Sequence, residues 1–276
     1  MNVITAILAA IAVAGISPAL PVKIDGLQGL DKTRHHRVES EALGKGYDVF
    51  VGLPNGYEDS DDTEYPTVYI LDGGNQYPLL KSYYGMLRGG NDIPDLILVA
   101  ISYGTNDPES GNDRDHDYTA PSDERERYGG AEEFQRFLSD ELVPFIEANY
   151  RSRADRRIVF GHSNGGQFIL YSAQTMPILF WGHIASNPSM HRNLPLFLSM
   201  HPAVPATNER SYLFVGSGSH DDRRYLEPRL QWIDFWTAQQ PKPWHLKVEV
   251  LDGHTHMSAP PAVFRRGLKW LFADQL

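Results

Sequence analysis

The sequence predicts an α/β fold: a mostly parallel central sheet with helices on both faces and no large lid domain. Three observations carry that expectation. The apolar runs at residues 67–71 and 96–102 are continuous rather than alternating, as strands buried on two faces require. Strand-like and helix-like segments alternate along most of the chain. Finally, Gly161-His162-Ser163-Asn164-Gly165-Gly166 follows the apolar run Arg157-Ile158-Val159-Phe160 and leads at once into a helical pattern at residues 167–175.

Taken in order, the elements begin with an apolar segment. Residues 3–16 are nearly all small or apolar, and Ser17-Pro18-Ala19-Leu20-Pro21 breaks any helix there. The run resembles the h-region of a signal peptide, with Ala12-Val13-Ala14 as an A-x-A-like cleavage site, although no positively charged n-region precedes it. We read residues 1–20 as a signal peptide, implying a periplasmic or secreted protein, and residues 31–276 as a single domain. A retained apolar helix in a cytoplasmic protein is the alternative. The run is too short for a secure membrane span, so no stable membrane insertion is expected.

Residues 46–53 alternate, with Tyr47, Val49 and Val51 on one side, which predicts a half-buried strand antiparallel to the segment before it. The strands at 67–71 and 96–102 follow, then a long polar stretch at 103–128 rich in Asp, Arg and Gly, of the kind that is functional or mobile. Residues 130–150 read as a helix, because Phe134, Phe137, Leu138, Leu142, Phe145 and Ile146 recur along one face. Further strands fit 158–160, 181–185, 212–215 and 246–251, and helices fit 224–239 and 261–272. In the last helix Val263, Leu268, Leu271 and Phe272 face inward. Between 185 and 212 there is room for a short loop or helix only.

Composition narrows the function. The 276 residues are 41% hydrophobic, enough for a sizeable core. A net charge of −10 with no basic block argues against a nucleic-acid surface and favours a small-molecule substrate. Cysteine is absent, which removes disulfides, thiolate metal sites and cysteine nucleophiles together.

The Gly161–Gly166 stretch has the strand–turn–helix context of a G-x-S-x-G nucleophile, with Ser163 at the tip. The serine backbone is strained in that turn, so Gly161 and Gly165 are expected to supply room, and Gly166 to let the helix approach the sheet. A nucleophilic serine needs a base, and usually an acid to orient it. The last strand runs into Asp252-Gly253-His254-Thr255-His256, where His256 sits deeper in the turn and is preferred over His254 as the base. The strand at 212–215 ends in Gly216-Ser217-Gly218-Ser219-His220-Asp221-Asp222. Asp221 is preferred as the acid, Asp222 is the alternative, a Ser–His pair without a carboxylate partner is the third reading, and the two aspartates could instead cap the next helix. The oxyanion hole should combine the backbone N–H of Asn164 with one from the loop after 67–71, Gly74 first and Asn75 second. A His254–His256 zinc site with Asp252 and His220 lacks a recognisable ligand spacing, so no metal or organic cofactor is expected.

With these residues in hand, the chain resembles the putative-esterase family of α/β-hydrolases, which includes siderophore trilactone hydrolases, feruloyl esterases and S-formylglutathione hydrolase. The resemblance is carried by Tyr47-Asp48-Val49-Phe50-Val51-Gly52-Leu53-Pro54, Val68-Tyr69-Ile70-Leu71-Asp72-Gly73, Arg114-Asp115-His116-Asp117-Tyr118-Thr119, Glu141 to Glu147, the Ser163 motif and Gly253-His254-Thr255-His256. It implies an α/β-hydrolase fold, Ser163 as nucleophile, His256 as base, and the amides of Gly74 and Asn164 as oxyanion donors. Asn187-Pro188-Ser189 departs from the family's usual Ser-Pro-Ser. The function expected is a serine carboxylic-ester hydrolase acting on a bulky polar ester. An acyltransferase of the same architecture and a catalytically silent binding protein are the competing readings.

Overall fold

The structure is a computed structural model that describes residues 20–21, 26–59, 62–202 and 210–275. The expected signal peptide therefore lies outside the described residues, apart from Leu20. Its strands are β1 (Leu20–Pro21), β2 (Thr33–Ser40), β3 (Lys45–Gly52), β4 (Tyr65–Ile70), β5 (Ile97–Ser102), β6 (Ser152–His162), β7 (Gly182–Ser186), β8 (Tyr212–Gly218) and β9 (His245–Leu251). They form one sheet in the order β1-β2-β3-β5-β4-β6-β7-β8-β9. From β5 through β9 every pairing is parallel, whereas β1, β2 and β3 join antiparallel at one edge.

The helices are α1 (Gly73–Gly89), α2 (Arg114–Asp117), α3 (Ala131–Arg136), α4 (Val143–Asn149), α5 (Asn164–Thr175), α6 (Leu194–Ser199), α7 (Arg223–Ala238) and α8 (Pro260–Leu271). A π-helical stretch, Phe137–Leu142, joins α3 to α4, so the helix expected at 130–150 is continuous. Residues of α1 and α8 cover one face of the sheet, among them Leu80, Tyr84, Val263 and Leu268. Phe134, Phe137, Phe168, Trp232 and Trp236 from α3 through α7 cover the other. Alternate residues of β4 serve the two cores, Tyr69 on one side and Val68 with Ile70 on the other. That double burial is why the strand reads as an unbroken apolar run. Among the described residues no helix is long and apolar enough to cross a membrane.

Two expectations need correction. The segment after β4, read as a loop, is the first turn of α1. Gly73, Gly74 and Pro78 are poor helix formers, but Tyr77, Leu80, Tyr84 and Leu87 recur at helical spacing and are all buried, so packing overrides local propensity. The polar stretch 103–128 is not a free loop either. It contains α2, whose Asp117 is fully buried and accepts from Tyr47 Oη at 2.7 Å, Tyr103 Oη at 2.9 Å and Lys45 Nζ at 2.5 Å. Tyr118 is fully buried beside it.

The strand order sets where a site can form. The chain passes from β4 outward to β5 and then returns to β6 on the other side of β4. Helices leaving β4 and β6 diverge to opposite faces and leave a crevice at the carboxyl ends of these strands, where ligands bind in open α/β sheets.

One core residue gives the fold a pH dependence. His183 in β7 is completely buried, and burial pushes its pKa down to about 3. The unfolded histidine titrates near 6.5, so between those values the unfolded chain binds more protons. Stability from this group is complete above pH 6.5 and is lost as the pH falls towards 3, by about 2 kcal/mol at pH 5. Urea melts at neutral pH and in mild acid should show this loss. It should shrink in His183→Leu, and an unaltered pH dependence in that variant would contradict the assignment.

Candidate active site

Ser163 occupies the corner between β6 and α5 with φ 59° and ψ −117°, a conformation that costs an L-residue strain. The surroundings hold it there. Its N–H donates to Ser186 O at 3.0 Å, and its carbonyl accepts from Gln167 N at 2.9 Å and Ser189 N at 3.0 Å. A Cβ at Gly161 would collide with the backbone of Gly165, which explains the glycine before the serine. At Gly165 a Cβ would meet nothing closer than 3.4 Å, so the room expected to be needed there is not critical.

The two candidate histidines separate cleanly. His256 Nδ1 lies 2.8 Å from Asp221 Oδ2, a pairing that brings the ends of β8 and β9 together. A carboxylate only accepts, so the proton is on Nδ1 and Nε2 keeps its lone pair free to act as a base. His254 instead makes a 3.2 Å contact from Nδ1 to Ser258 O within its own loop. The two aspartates separate as well. Asp222 caps α7, accepting from Arg224 N at 2.8 Å, while the Asp221 side chain is only 2% exposed.

Beneath Asp221 lies Arg229, fully buried in α7, with Nη2 at 2.7 Å from the same Oδ2 and Nε at 2.9 Å from Ser217 Oγ. Burial alone would raise the Asp221 pKa, but the bonds from His256 and Arg229 outweigh it and hold the carboxyl below its usual value. Arg229 was not anticipated from the sequence. The available signal was an arginine three and four positions before Trp232 and Ile233, on the buried face of α7.

His162, immediately before the serine, packs its ring 4.6 Å from that of His256. Burial, reinforced by the neighbouring His256, pushes its pKa down to about 3, so it is neutral at working pH. Tyr225 packs on His256 as well, at 5.3 Å.

Ser163, His162 and His256 line a cavity of about 950 Å³. Asp72, Gly73, Gly74 and Asn75 form another part of its wall, Tyr103 to Asn106 with Asn112 and Arg114 a third, and Leu30, Phe50, Tyr77 and Pro78 add apolar surface. Arg114 clamps Asp72 with two bonds of 2.7 and 2.9 Å, and Tyr118 Oη accepts from the Asp72 N–H at 3.3 Å. Asp72 has φ 53° and turns the chain into α1. The amides of Asn75 and Gln76 are spent on Asp72 O, at 3.0 and 2.9 Å, so Asn75, the second oxyanion choice, has its amide engaged. Gly74 makes no such turn bond and lies at a helix N-terminus, where amides lack intrahelical acceptors. Asn164 opens α5 in the same way, and its side chain donates to Asp115 Oδ1 at 2.9 Å. Of the three tyrosines of the polar stretch, Tyr103 lines the cavity, whereas Tyr118 and Tyr128 do not.

His254, His256, Asp252 and His220 do not form a metal-ligating cluster. Among the described residues the group with suitable spacing is Asp113, His116 and Asp117, and Lys45 Nζ already sits 2.9 Å from Asp113 and 2.5 Å from Asp117.

Comparison with known proteins agrees with the fold. The family described as Putative esterase matches residues 40–262. The chain is 31% identical over 180 residues to the ferri-bacillibactin esterase BesA of Bacillus subtilis, covering 60% of this chain and 61% of that protein. It is 27% identical over 208 residues to an apo-salmochelin esterase of Escherichia coli, covering 71% of this chain and 60% of that protein. The chain thus spans about three fifths of the length of these curated relatives. Among solved structures, an IroE-like serine hydrolase from Shewanella oneidensis superposes with a TM-score of 0.76 at 25% identity, over 88% of this chain and 81% of that one.

Proposed function

Because the chain belongs to the putative-esterase family of α/β-hydrolases, we propose that it is a carboxylic-ester hydrolase working through an acyl-enzyme on Ser163. The observation that carries this reading is the 2.8 Å bond between His256 Nδ1 and Asp221, on the wall of the same cavity that Ser163 lines. In this mechanism Ser163 Oγ attacks the ester carbonyl while His256 Nε2 takes its proton, and Asp221 stabilises the imidazolium that forms. The oxyanion is held by the amides of Gly74 and Asn164 at the N-termini of α1 and α5. His256 then protonates the leaving alcohol, and a water activated by the same nitrogen releases the acid. His162 is neutral beside that imidazolium and adds no opposing charge.

The cavity supports a bulky, oxygen-rich ester. Asn75 and Asn106, joined by a bond from Asn75 Nδ2 to Asn106 Oδ1, leave an amide oxygen and an amide nitrogen for a ligand, Leu30 and Phe50 offer apolar contact, and the Arg114 cation is already matched by Asp72. The relatives named for bacillibactin and salmochelin esters favour a siderophore-type ester over a simple lipid.

A fluorophosphonate probe with mass mapping, combined with a panel of phenolic, sugar, siderophore and thioester substrates, tests this directly. Labelling confined to Ser163 with ester turnover is expected. Folded protein that neither labels nor hydrolyses would instead be a silent binding protein, and ester exchange outrunning hydrolysis in added alcohol would mark an acyltransferase.

The oxyanion assignment makes its own prediction. A Cβ at Gly74 meets Ser102 Oγ at 3.0 Å, so a bulkier side chain must either push aside that hydroxyl, which accepts from Gly104 N at 3.1 Å, or shift the turn that aims its amide. Gly74→Val is expected to lower kcat by about a hundredfold with a much smaller change in KM, since such donors contribute about 3–4 kcal/mol to the barrier reduction. An effect on KM alone would remove Gly74 from the oxyanion hole. Export after cleavage near Ala14 is part of the same proposal, and an intact Met1 on protein isolated from the cytosol would contradict it.

A further inference from the structure

The turn after β7 connects to both halves of the site. Ser186 O and Ser189 N bond the backbone of Ser163, each at 3.0 Å. Asn187, between them, reaches the other way. Its Nδ2 donates to the carbonyls of His256 at 3.1 Å and Thr255 at 3.3 Å, and its Oδ1 accepts from Gly218 N at 2.8 Å. Its own N–H donates to Gly216 O at 2.8 Å. The residue is completely buried, with φ 43°. Asparagine is one of the few side-chain-bearing residues that enter this left-handed region readily.

We propose that Asn187 is the positioning residue that sets His256 against Ser163, by bracing the histidine loop on the turn that also holds the serine backbone. The proposal rests on Ser163 and His256 acting as nucleophile and base. Among the described residues, other bonds tie the histidine loop to the turn after β8: His220 N to His254 O at 2.9 Å, Gly253 N to Ser219 Oγ at 3.0 Å, and the His256–Asp221 pair. Asn187 joins the loop to the nucleophile's side of the sheet. A serine there is too short to reach Gly218 and both loop carbonyls at once. This chain therefore depends on the longer amide. Without it the His256 carbonyl loses its donor, and the loop can shift His256 relative to both Ser163 and Asp221, which Arg229 holds in place. A displacement approaching 1 Å between base and nucleophile lowers turnover by about a hundredfold and leaves substrate binding largely intact.

The test compares Asn187→Ser, Asn187→Asp and Asn187→Gly with the parent enzyme. Asn187→Asp preserves shape but turns an acceptor towards two carbonyls, and Asn187→Gly suits the left-handed backbone. Steady-state kinetics on a p-nitrophenyl ester should show kcat reduced by about 10- to 100-fold with KM within about twofold in every variant that folds. Fluorophosphonate labelling should slow by a similar factor yet still reach one label per chain. The far-downfield proton resonance of His256 Nδ1–H, assigned by its loss in His256→Gln, should move or broaden. If the folded variants retain the parent kcat, or if kcat falls only in step with the folded fraction, Asn187 is structural and the proposal fails. If the parent protein itself neither labels nor turns over ester, the hydrolase reading has failed instead. The Nδ1–H resonance then still decides the brace, since an unchanged signal in all three variants would exclude it.

Discussion

Replacing Ser163 by alanine is expected to lower kcat/KM for ester hydrolysis by at least about a thousandfold, and to abolish fluorophosphonate labelling altogether. The size of the effect follows from the geometry. Neither Asn164 nor Gly74 offers a nucleophile, so the residual rate must come from water attacking an ester polarised by the amides. Binding should change little, because removing one oxygen alters the floor of a cavity of about 950 Å³ hardly at all. Isothermal titration with an unreactive ester analogue would check this. Unfolding should also be nearly unaffected, since the bonds holding the elbow come from the backbone of Ser163 and not from its hydroxyl. A fully active Ser163→Ala would remove the proposed chemistry.

The second large effect concerns Asp221, where activity and stability should part company. Asp221→Asn retains the shape but cannot fix the Nδ1–H tautomer of His256, and is expected to lower kcat by up to about 10⁴-fold. Both replacements remove the anion facing Arg229, a guanidinium with no exposed surface, but Asp221→Ala also removes the oxygen to which Nη2 donates, and among the described residues Nη1 already lacks a partner. Leaving one member of a buried pair costs about 3–5 kcal/mol. Chemical denaturation should therefore show both variants less stable than the parent, Asp221→Ala more so than Asp221→Asn. The double replacement Asp221→Leu with Arg229→Met should recover most of that stability and none of the activity. If Asp221→Ala unfolds at the parent's denaturant midpoint, the ion pair is not the buried contact described. If Asp221→Asn keeps its kcat, the carboxylate is not the group that orients the base.

The elbow was legible in the sequence, apart from the slack at Gly165, because its physics is local. A strand, a strained serine and a helix follow within a dozen residues, and glycine stands where a Cβ would strike the backbone. His256 could be preferred over His254 only through its place in the turn and the family resemblance. The choice between Asp221 and Asp222 stayed open, because neighbouring residues in a turn point in different directions and spacing does not say which points inward. The structure separates them by occupation. Asp222 spends its carboxylate on Arg224 N, and Asp221 turns inward to Arg229 and His256. The first turn of α1 was hidden for a different reason: its glycines and proline argue locally for a loop, and burial of Tyr77, Leu80 and Tyr84 overrules them.

By itself, then, the sequence determined the layered α/β architecture, the elbow that carries Ser163 and the short list of its candidate partners, since hydrophobic periodicity and backbone strain act between residues close along the chain. Tertiary structure alone decided which histidine and which aspartate meet, that Arg229 lies beneath them, and that Asn187 spans 69 residues to hold the His256 carbonyl. Those contacts join strand ends that are neighbours only in the sheet. Side-chain hydrogen bonds reach about 3 Å, so strand order and register, which no local pattern encodes, determine which groups can form them.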